Sequence, residues 1–520
     1  MKIAGICSGH DVAYGILENG IPIVHNELER FNRKKGTIGD ALQFLIDNYP
    51  DINDITHASY CVNTWKGGIS KRYPDSFNKI NSIVENNGGK FWPNKDKRPG
   101  HHQCHAANAF FSSNYEEALV ITIDGGGEDY DSEGNYHITT FTAWKGVDNK
   151  IYDLDMINHN SLNLGVLWDN YTTKVFGLSG TTGIKGSQAG TVMGMAALGD
   201  PEKYKNVFTN KKLLKNLSTQ SEQNQFDIAA TLQQHTENIV KEKIGIYLKK
   251  YPSKNLCLSG GVVLNSVMTG KIRKWYPEIE NIYIDPIPYD AGLALGGPRY
   301  IWHHILDNPR IKWEDNSTPY LGKTYSKKEV LDAINEYNLN FTNTTDDYVT
   351  DLLINQNVVS VYGGGSESGR RALGNRSILA DPRSDKMKDI INKKVKHRQW
   401  FRPFAPSILR EEVTNWFESD INSPYMGFVS IFKEETRNKI PAVVHFDGSA
   451  RLQTVTEKDN KWYYNFLKLF NSKTGVPILL NTSFNDREPI VETPQNALNC
   501  FLKTDIDYLY FRDYNILIKK

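Results

Sequence analysis

The chain opens on short apolar runs broken by glycine. KIAGICSGHD, VAYGILENG and IPIVHNELERF predict strand, glycine turn, strand, a tight turn at Asn19-Gly20, and strand. The unit returns at LVITIDGGGEDYDSEG followed by YHITTFTAWKG. In each copy a strand of Val, Ile and Ala runs into glycines beside a polar group, and a hairpin continues the sheet. DALQFLIDNY and the long FDIAATLQQHTENIVKEKIGIYLKKY have helical spacing of apolar positions. The second leads into NLCLSGGVVLNSVMTGKI, which reads as strand, two glycines and helix. Past Pro319 the character changes: TYSKKEVLDAINEY predicts a polar surface helix, and arginine becomes concentrated after it. Two domains are expected, residues 1–320 and 321–520.

Twofold repetition of such a unit is how actin-like, sugar-kinase-like ATPase folds are built, with two α/β subdomains and phosphates gripped by two turns. The expected fold class is therefore α/β, a duplicated actin-like N-terminal domain followed by a C-terminal α/β domain. Gly126 and Gly127 belong to one turn, Gly260 and Gly261 to the other. Backbone N–H groups of a Gly-Gly turn opening a helix can approach an anion closely, and the helix dipole favours its charge. These four glycines are expected to bind phosphate, with Asn265 on the first helical turn.

A chain of 520 residues can bury a large core in at least two domains. Its 61 Lys and Arg against 60 Asp and Glu remove the basic field expected of a protein that lives on nucleic acid or anionic lipid, so small partners are expected. The five cysteines, at positions 7, 61, 104, 257 and 500, include no CxxC and point away from a disulfide framework or thiolate zinc module. The expected compartment is cytoplasmic: no apolar stretch approaches the roughly 18 residues of a membrane helix, and His10 and Asp11 interrupt any signal-peptide core.

Candidate chemistry begins at GHHQCHAANAFF. On a helix starting there, His101 and His105 share a face and can offer two ring nitrogens to one ion. Asp124 ends the apolar run ALVITID, and Asp290 in IPYDAGLALGG lies between a strand, NIYIDPI, and a small-residue helix. Two neutral imidazoles and two carboxylates balance a divalent cation, and iron(II), manganese or zinc suit them better than calcium. Spacing also permits the pair His102 and His105. Cys104 points off the shared face and reads as packing.

The second cluster is Arg371, Arg376, Arg383, Arg398 and Arg402 with Lys394 and Lys396, beside Asn375 and Ser377. Guanidinium forks match phosphate and carboxylate bidentately, so several convergent arginines can hold a polyanion. They alternate with apolar residues, and FRPFAPSIL and PILLNTSFN read as strands. Asn481, Thr482, Ser483 and Asn485 can supply neutral donors to the same ligand.

The strings SGHDVAY, HHQCHA, IDGGGE, LSGGVVLN, PYDAGLALGG, RALGNRSILADPR, FRPFAPSIL and NTSFN, in this order across nearly the whole chain, resemble the O-carbamoyltransferases of nodulation-factor, tobramycin and cephamycin biosynthesis. That family joins an actin-like domain, similar to the universal tRNA threonylcarbamoyladenosine transferase, to a domain similar to threonylcarbamoyl-AMP synthase. The resemblance implies that the C-terminal domain makes carbamoyl-adenylate from ATP and carbamoyl phosphate, and that the N-terminal domain passes the carbamoyl group to a substrate hydroxyl. By motif it makes His101, His105, Asp124 and Asp290 metal ligands, with iron(II) the family's ion, and places His10 at the acceptor. It assigns Arg371, Arg376, Lys396, Arg398, Arg402, Asn481, Ser483 and Asn485 to the carbamoyl phosphate and ATP site, with magnesium as an expected companion of the nucleotide. Two departures stand out: Gly365 and Arg370 replace an arginine and a proline before RALG, and Gln399 replaces a glutamate.

Two rival activities are a tRNA threonylcarbamoyl-type transferase, disfavoured by the neutral charge, and a sugar-kinase-like phosphotransferase, for which the arginine domain would be superfluous. A nucleotide sensor is a third. The expected acceptor is a small molecule of secondary metabolism, an antibiotic or sugar alcohol among them; its identity is not written in the sequence, nor is the oligomeric state, for which a homodimer is one expectation.

Overall fold

The computed structural model describes residues 1–62, 68–92, 98–178, 188–205, 207–208, 221–311 and 319–520. The first sheet contains β1 (Lys2–Ser8), β2 (Ala13–Glu18), β3 (Ile21–Glu27), β4 (Ile55–Val62) and β5 (Phe91–Trp92), in the order β3-β2-β1-β4-β5. β1, β2 and β3 form an antiparallel meander, while β1, β4 and β5 run parallel. The second sheet contains β6 (Glu117–Tyr130), β7 (Tyr136–Val147), β8 (Lys150–Asn158), β9 (Asn255–Ser259) and β10 (Asn281–Ile284), in the order β8-β7-β6-β9-β10. Here too the first three strands are an antiparallel meander and the last two add in parallel. Strand for strand the two sheets share one topology, which is the duplicated actin-like plan. β1 and β9 are buried nearly throughout because central strands of such sheets are covered on both faces.

Helices α1 (Ala41–Asn48) and α2 (Pro74–Asn86) cover the first sheet. Helix α3 (His101–Ser112) is buried along its whole length. A further helix of small residues, α4 (Leu293–Arg299), packs against both α3 and the first sheet. Glycines make this possible: a Cβ on Gly296 would meet Cys104 O of α3 at 2.0 Å, and one on Gly5 would meet Ala294 O of α4 at 2.0 Å. The turn carrying Asp290 is thereby drawn to the start of α3.

The chain divides into two compact units, and the division is not a single cut. One unit holds Met1–Ala189, Val207–Thr219 and Leu232–Trp313; the other takes Gly190–Asn206 and Gln220–Thr231 together with Glu314–Lys520. The second unit is built on an eight-stranded mixed sheet in the order β11-β20-β19-β12-β13-β18-β14-β17. Its strands are β11 (Thr342–Asn343), β12 (Val359–Tyr362), β13 (Arg376–Ala380), β14 (Ala405–Leu409), β17 (Gln453–Val455), β18 (Ile478–Ser483), β19 (Tyr508–Phe511) and β20 (Ile516–Lys519). A small ribbon pairs β15 (Val429–Ile431) with β16 (Ser449–Arg451). TYSKKEVLDAINEY forms helix Lys327–Glu336, with a capping box between Ser326 and Glu329. Among the described residues no helix is long and apolar enough to cross a membrane, and all five cysteines are buried.

Candidate metal and anion sites

The N-terminus of α3 is fixed by Asp129 of β6. Its Oδ1 accepts the backbone N–H groups of His102 and Gln103 at 2.9 and 3.2 Å, where a helix start favours an anion. Asp129 Oδ2 lies 2.8 Å from His102 Nδ1 and accepts the Thr139 hydroxyl at 2.6 Å. Burial pulls the Asp129 carboxyl upward, but the His102 ring and Thr139 outweigh it and hold it at about 2. His102 thereby faces Asp129, and the donor cluster pairs His105 with His101 instead of His102.

His101 and His105 project from α3 with their rings 4.9 Å apart. His101 Nε2 lies 3.0 Å from Asp124 Oδ2 and 3.7 Å from Asp290 Oδ1; for His105 Nε2 the distances are 3.4 and 3.5 Å. One donor atom from each of the four residues falls within 4.8 Å of all the others. His105 Nε2 is buried and has no hydrogen-bond partner, while its Nδ1 lies 3.3 Å from the Ser259 hydroxyl. This is how a ligating imidazole is held: one nitrogen anchored, the other left for the ion. Burial pulls both rings down, but the two carboxylates outweigh it and raise them to about 10 for His101 and about 9 for His105. Burial likewise pushes Asp124 up, and the imidazoles hold it well below the usual carboxylate range. Two protons on this set carry the charge of one divalent cation, so exchanging them for the ion keeps a buried site neutral. The donor set fits such an ion.

The glycines serve this cluster. Asp124 lies inside β6, in the irregularity between Ile123 and Gly127, and the strand continues beyond it instead of ending there. A Cβ on Gly127 would meet His101 Cγ at 2.1 Å, so Gly127 makes room for the ring. Gly126 adopts φ +142°. Gly260, with φ +97°, packs where a Cβ would meet Ile123 O at 2.2 Å. The N–H groups expected to face phosphate have partners within the protein: Gly260 donates to Pro288 O at 2.6 Å, Gly261 to Asp124 Oδ1 at 3.2 Å. The helix expected after them is a 3-10 turn, Gly261–Leu264, followed by the five-residue helix Ser266–Gly270. Asn265 caps that short helix through Met268 N and exchanges amide hydrogen bonds with Gln233. Asp290 opens the 3-10 turn Asp290–Gly292 and does not end β10.

His10 stands at the edge of the set. Its Nδ1 is 2.9 Å from Asp11 Oδ2 and its Nε2 is 3.6 Å from Asp290 Oδ2, with half of the side chain exposed. The Asp11 carboxylate raises the ring to about 10 against the pull of burial.

In the second unit the predicted anion residues have separate partners. Arg376 is wholly buried, donates to Gly363 O, Asn375 O and Gly364 O, and stacks 3.6 Å above Tyr362; it staples the glycine loop. Lys396 Nζ is held by Ser483 and Asn485, through their backbone carbonyls and side-chain oxygens. The Asn481 amide donates to Ala372 O, Ser407 and Gln453. Arg383 pairs with Asp381 at 2.6 Å.

Arg402 differs; Arg398, which donates to Asn392 Oδ1 at 2.7 Å and Pro403 O at 3.3 Å, lies near it, and a residue that sequence reasoning missed joins them. Burial lowers the Arg451 guanidinium well below its usual value, and Arg371, Arg398 and Arg402 add to the effect. Burial also lowers Arg398, with Arg402 contributing, and burial alone lowers Arg402. No described residue gives the Arg402 guanidinium a hydrogen bond or a carboxylate, and Arg451 Nε is buried without a partner. Buried guanidiniums close enough to lower one another form a site for an anion. Arg451 lies in GSARLQTV, where nothing local marks it; β16 carries it to the cluster.

Residues 201–298 match the model of the carbamoyltransferase N-terminus, and residues 350–519 that of the carbamoyltransferase C-terminus. The nodulation protein NolO of Bradyrhizobium diazoefficiens is 35% identical over 440 residues, covering 79% of this chain and 77% of NolO. The chain belongs to the carbamoyltransferase family. The nodulation protein NolNO of Sinorhizobium fredii is 31% identical to this carbamoyltransferase over 559 aligned positions, covering 98% of the chain and 79% of NolNO. Among solved structures, HypF of T. kodakarensis superposes on 59% of the chain and 48% of its own with a TM-score of 0.41 at 12% identity.

Proposed function

We propose that this carbamoyltransferase works through two half-reactions, adenylate formation in its second unit and O-carbamoylation in its first. The observation that carries the reading is the separation of chemistries: a two-imidazole, two-carboxylate set with His10 in one unit, and a cluster of guanidiniums around buried Arg451 in the other. In the first half-reaction water releases phosphate from carbamoyl phosphate. The carbamate oxygen attacks the α-phosphorus of ATP, and pyrophosphate leaves. Arg371, Arg398, Arg402 and Arg451 hold the anions, each charge-assisted bond contributing roughly 1.5–3 kcal/mol.

In the second half-reaction the hydroxyl of a small-molecule acceptor attacks the carbamoyl carbon, and the bond to AMP breaks. A divalent ion, iron(II) by family resemblance, would be held by His101, His105, Asp124 and Asp290 and would polarise the carbonyl or acidify the hydroxyl. Asp11 fixes His10 through Nδ1, and Nε2 receives the hydroxyl proton once the ring, raised to about 10 by Asp11, has given up its own. Gly127 and Ser259 orient the two imidazoles. The test is the product set: pyrophosphate with an acceptor heavier by one carbamoyl group supports the reading, whereas ADP would identify a phosphotransferase and overturn it.

A further inference from the structure

The 398–402 turn joins the basic cluster to an aromatic side chain open to solvent. Buried Asn392 donates to Trp400 O at 3.3 Å and Arg402 O at 3.0 Å, and accepts from Arg398 Nε at 2.7 Å. A single side chain therefore fixes all three residues. Trp400 is 52% exposed and meets Phe401 and Phe446 at ring separations of 5.9 and 5.6 Å, both nearly perpendicular. Phe446 is 50% exposed and has the Lys388 ammonium 4.1 Å from its ring centre.

Large aromatic surface left in water forgoes much burial free energy, and the neighbouring guanidiniums repel one another. Carbamoyl phosphate or inorganic phosphate would answer the guanidiniums and leave the rings bare. A nucleoside triphosphate answers both, with its base on an aromatic face and its phosphates on arginine. We propose that Trp400, with Phe446 beside it, is the platform on which the base of ATP stacks while its phosphates reach Arg398, Arg402 and Arg451. The assignment rests on the adenylate-forming reading of this unit.

The test uses the full chain and follows pyrophosphate release with ATP and carbamoyl phosphate. Trp400→Ala is expected to raise KM for ATP about tenfold or more, since a stacked base is worth roughly 1–3 kcal/mol, with kcat and KM for carbamoyl phosphate unchanged. Trp400→Phe should recover most of the loss. Inorganic triphosphate, which has no base, should inhibit wild type and Trp400→Ala equally. An unchanged KM for ATP overturns the platform, as a protein partner on this patch would predict, and so does an equal weakening of triphosphate, which would mean that the arginine turn had shifted. If wild type releases no pyrophosphate, the adenylate reading fails by itself. ATP binding then decides the platform: fluorescence quenching in wild type that is lost in Trp400→Phe sustains it, and quenching retained in that variant overturns it.

Discussion

Gly261 donates its backbone N–H to the Asp124 carboxylate across 3.2 Å, which ties the turn after β9 to a carboxylate of the neighbouring strand β6. The glycine that resembles a phosphate loop in sequence here orients a carboxylate of the proposed metal set. That relationship makes the cluster a property of the second sheet as much as of helix α3.

Removal of one imidazole tests the ion and the division of labour together. Wild type is expected to contain about one divalent ion per chain, and His105→Ala to lose it together with carbamoyl transfer. The same variant should still release pyrophosphate from ATP and carbamoyl phosphate. Elemental analysis showing unchanged metal would sink the ligand assignment; loss of both half-reactions in a folded variant would argue for one shared site.

Gly127→Ala places a methyl group where the His101 ring now lies, at 2.1 Å from Cγ. The expected result is metal content reduced by at least tenfold, the range in which changes around ligating imidazoles fall. Gly190→Ala, where a Cβ meets nothing within 4 Å and φ, as at Gly127, is not positive, controls for the loss of a glycine. Equal metal in Gly127→Ala and wild type would show that the ring has room to move.

Arg402→Lys keeps the charge but loses the planar fork, and a buried phosphate is poorly served by a point donor. Adenylate formation should slow far more than after exchange of an exposed arginine, and Arg451→Lys should behave alike. Preformed carbamoyl-adenylate should restore transfer in both. If transfer from the preformed intermediate is as impaired as the whole reaction, neither arginine belongs to the first half-reaction.

Acid sensitivity should arise in part from His303, which is 2% exposed and held by burial at about 4, below its ordinary 6.5. Between these values the unfolded chain takes up a proton that the folded chain refuses. The stability linked to His303 is therefore complete above about pH 6.5, falls as the pH drops toward 4, and is constant below that, a change of about 3 kcal/mol. Urea unfolding at pH 7 and pH 4 measures it. His303→Gln should narrow the difference between the two, and an unchanged difference would refute the assignment.

The sequence by itself determined whatever depends on neighbours in the chain. Strand, turn and strand around Asn19-Gly20, and the helix that sets His101 and His105 on one face, follow from local periodicity, and the repeated meander pointed to the duplicated sheet. Family motifs marked Asp124, Asp290 and the arginine segment. Tertiary structure decided which of these groups are free to bind. His102 and His105 are alike in sequence, and only the fold turns the first to Asp129, 27 residues beyond it, and the second to Asp124 and Asp290. Arg376 and Arg402 are alike in sequence as well, yet backbone carbonyls occupy the first, while no described residue pairs with the second. Arg451 joins Arg371, Arg398 and Arg402 only once the chain has folded, and Asp290 reaches the imidazoles only because α4 lacks the side chains that would hold it away from α3. Hydrogen bonding and burial depend on separations of a few ångströms between residues far apart in the chain, and those separations exist only once the chain has folded.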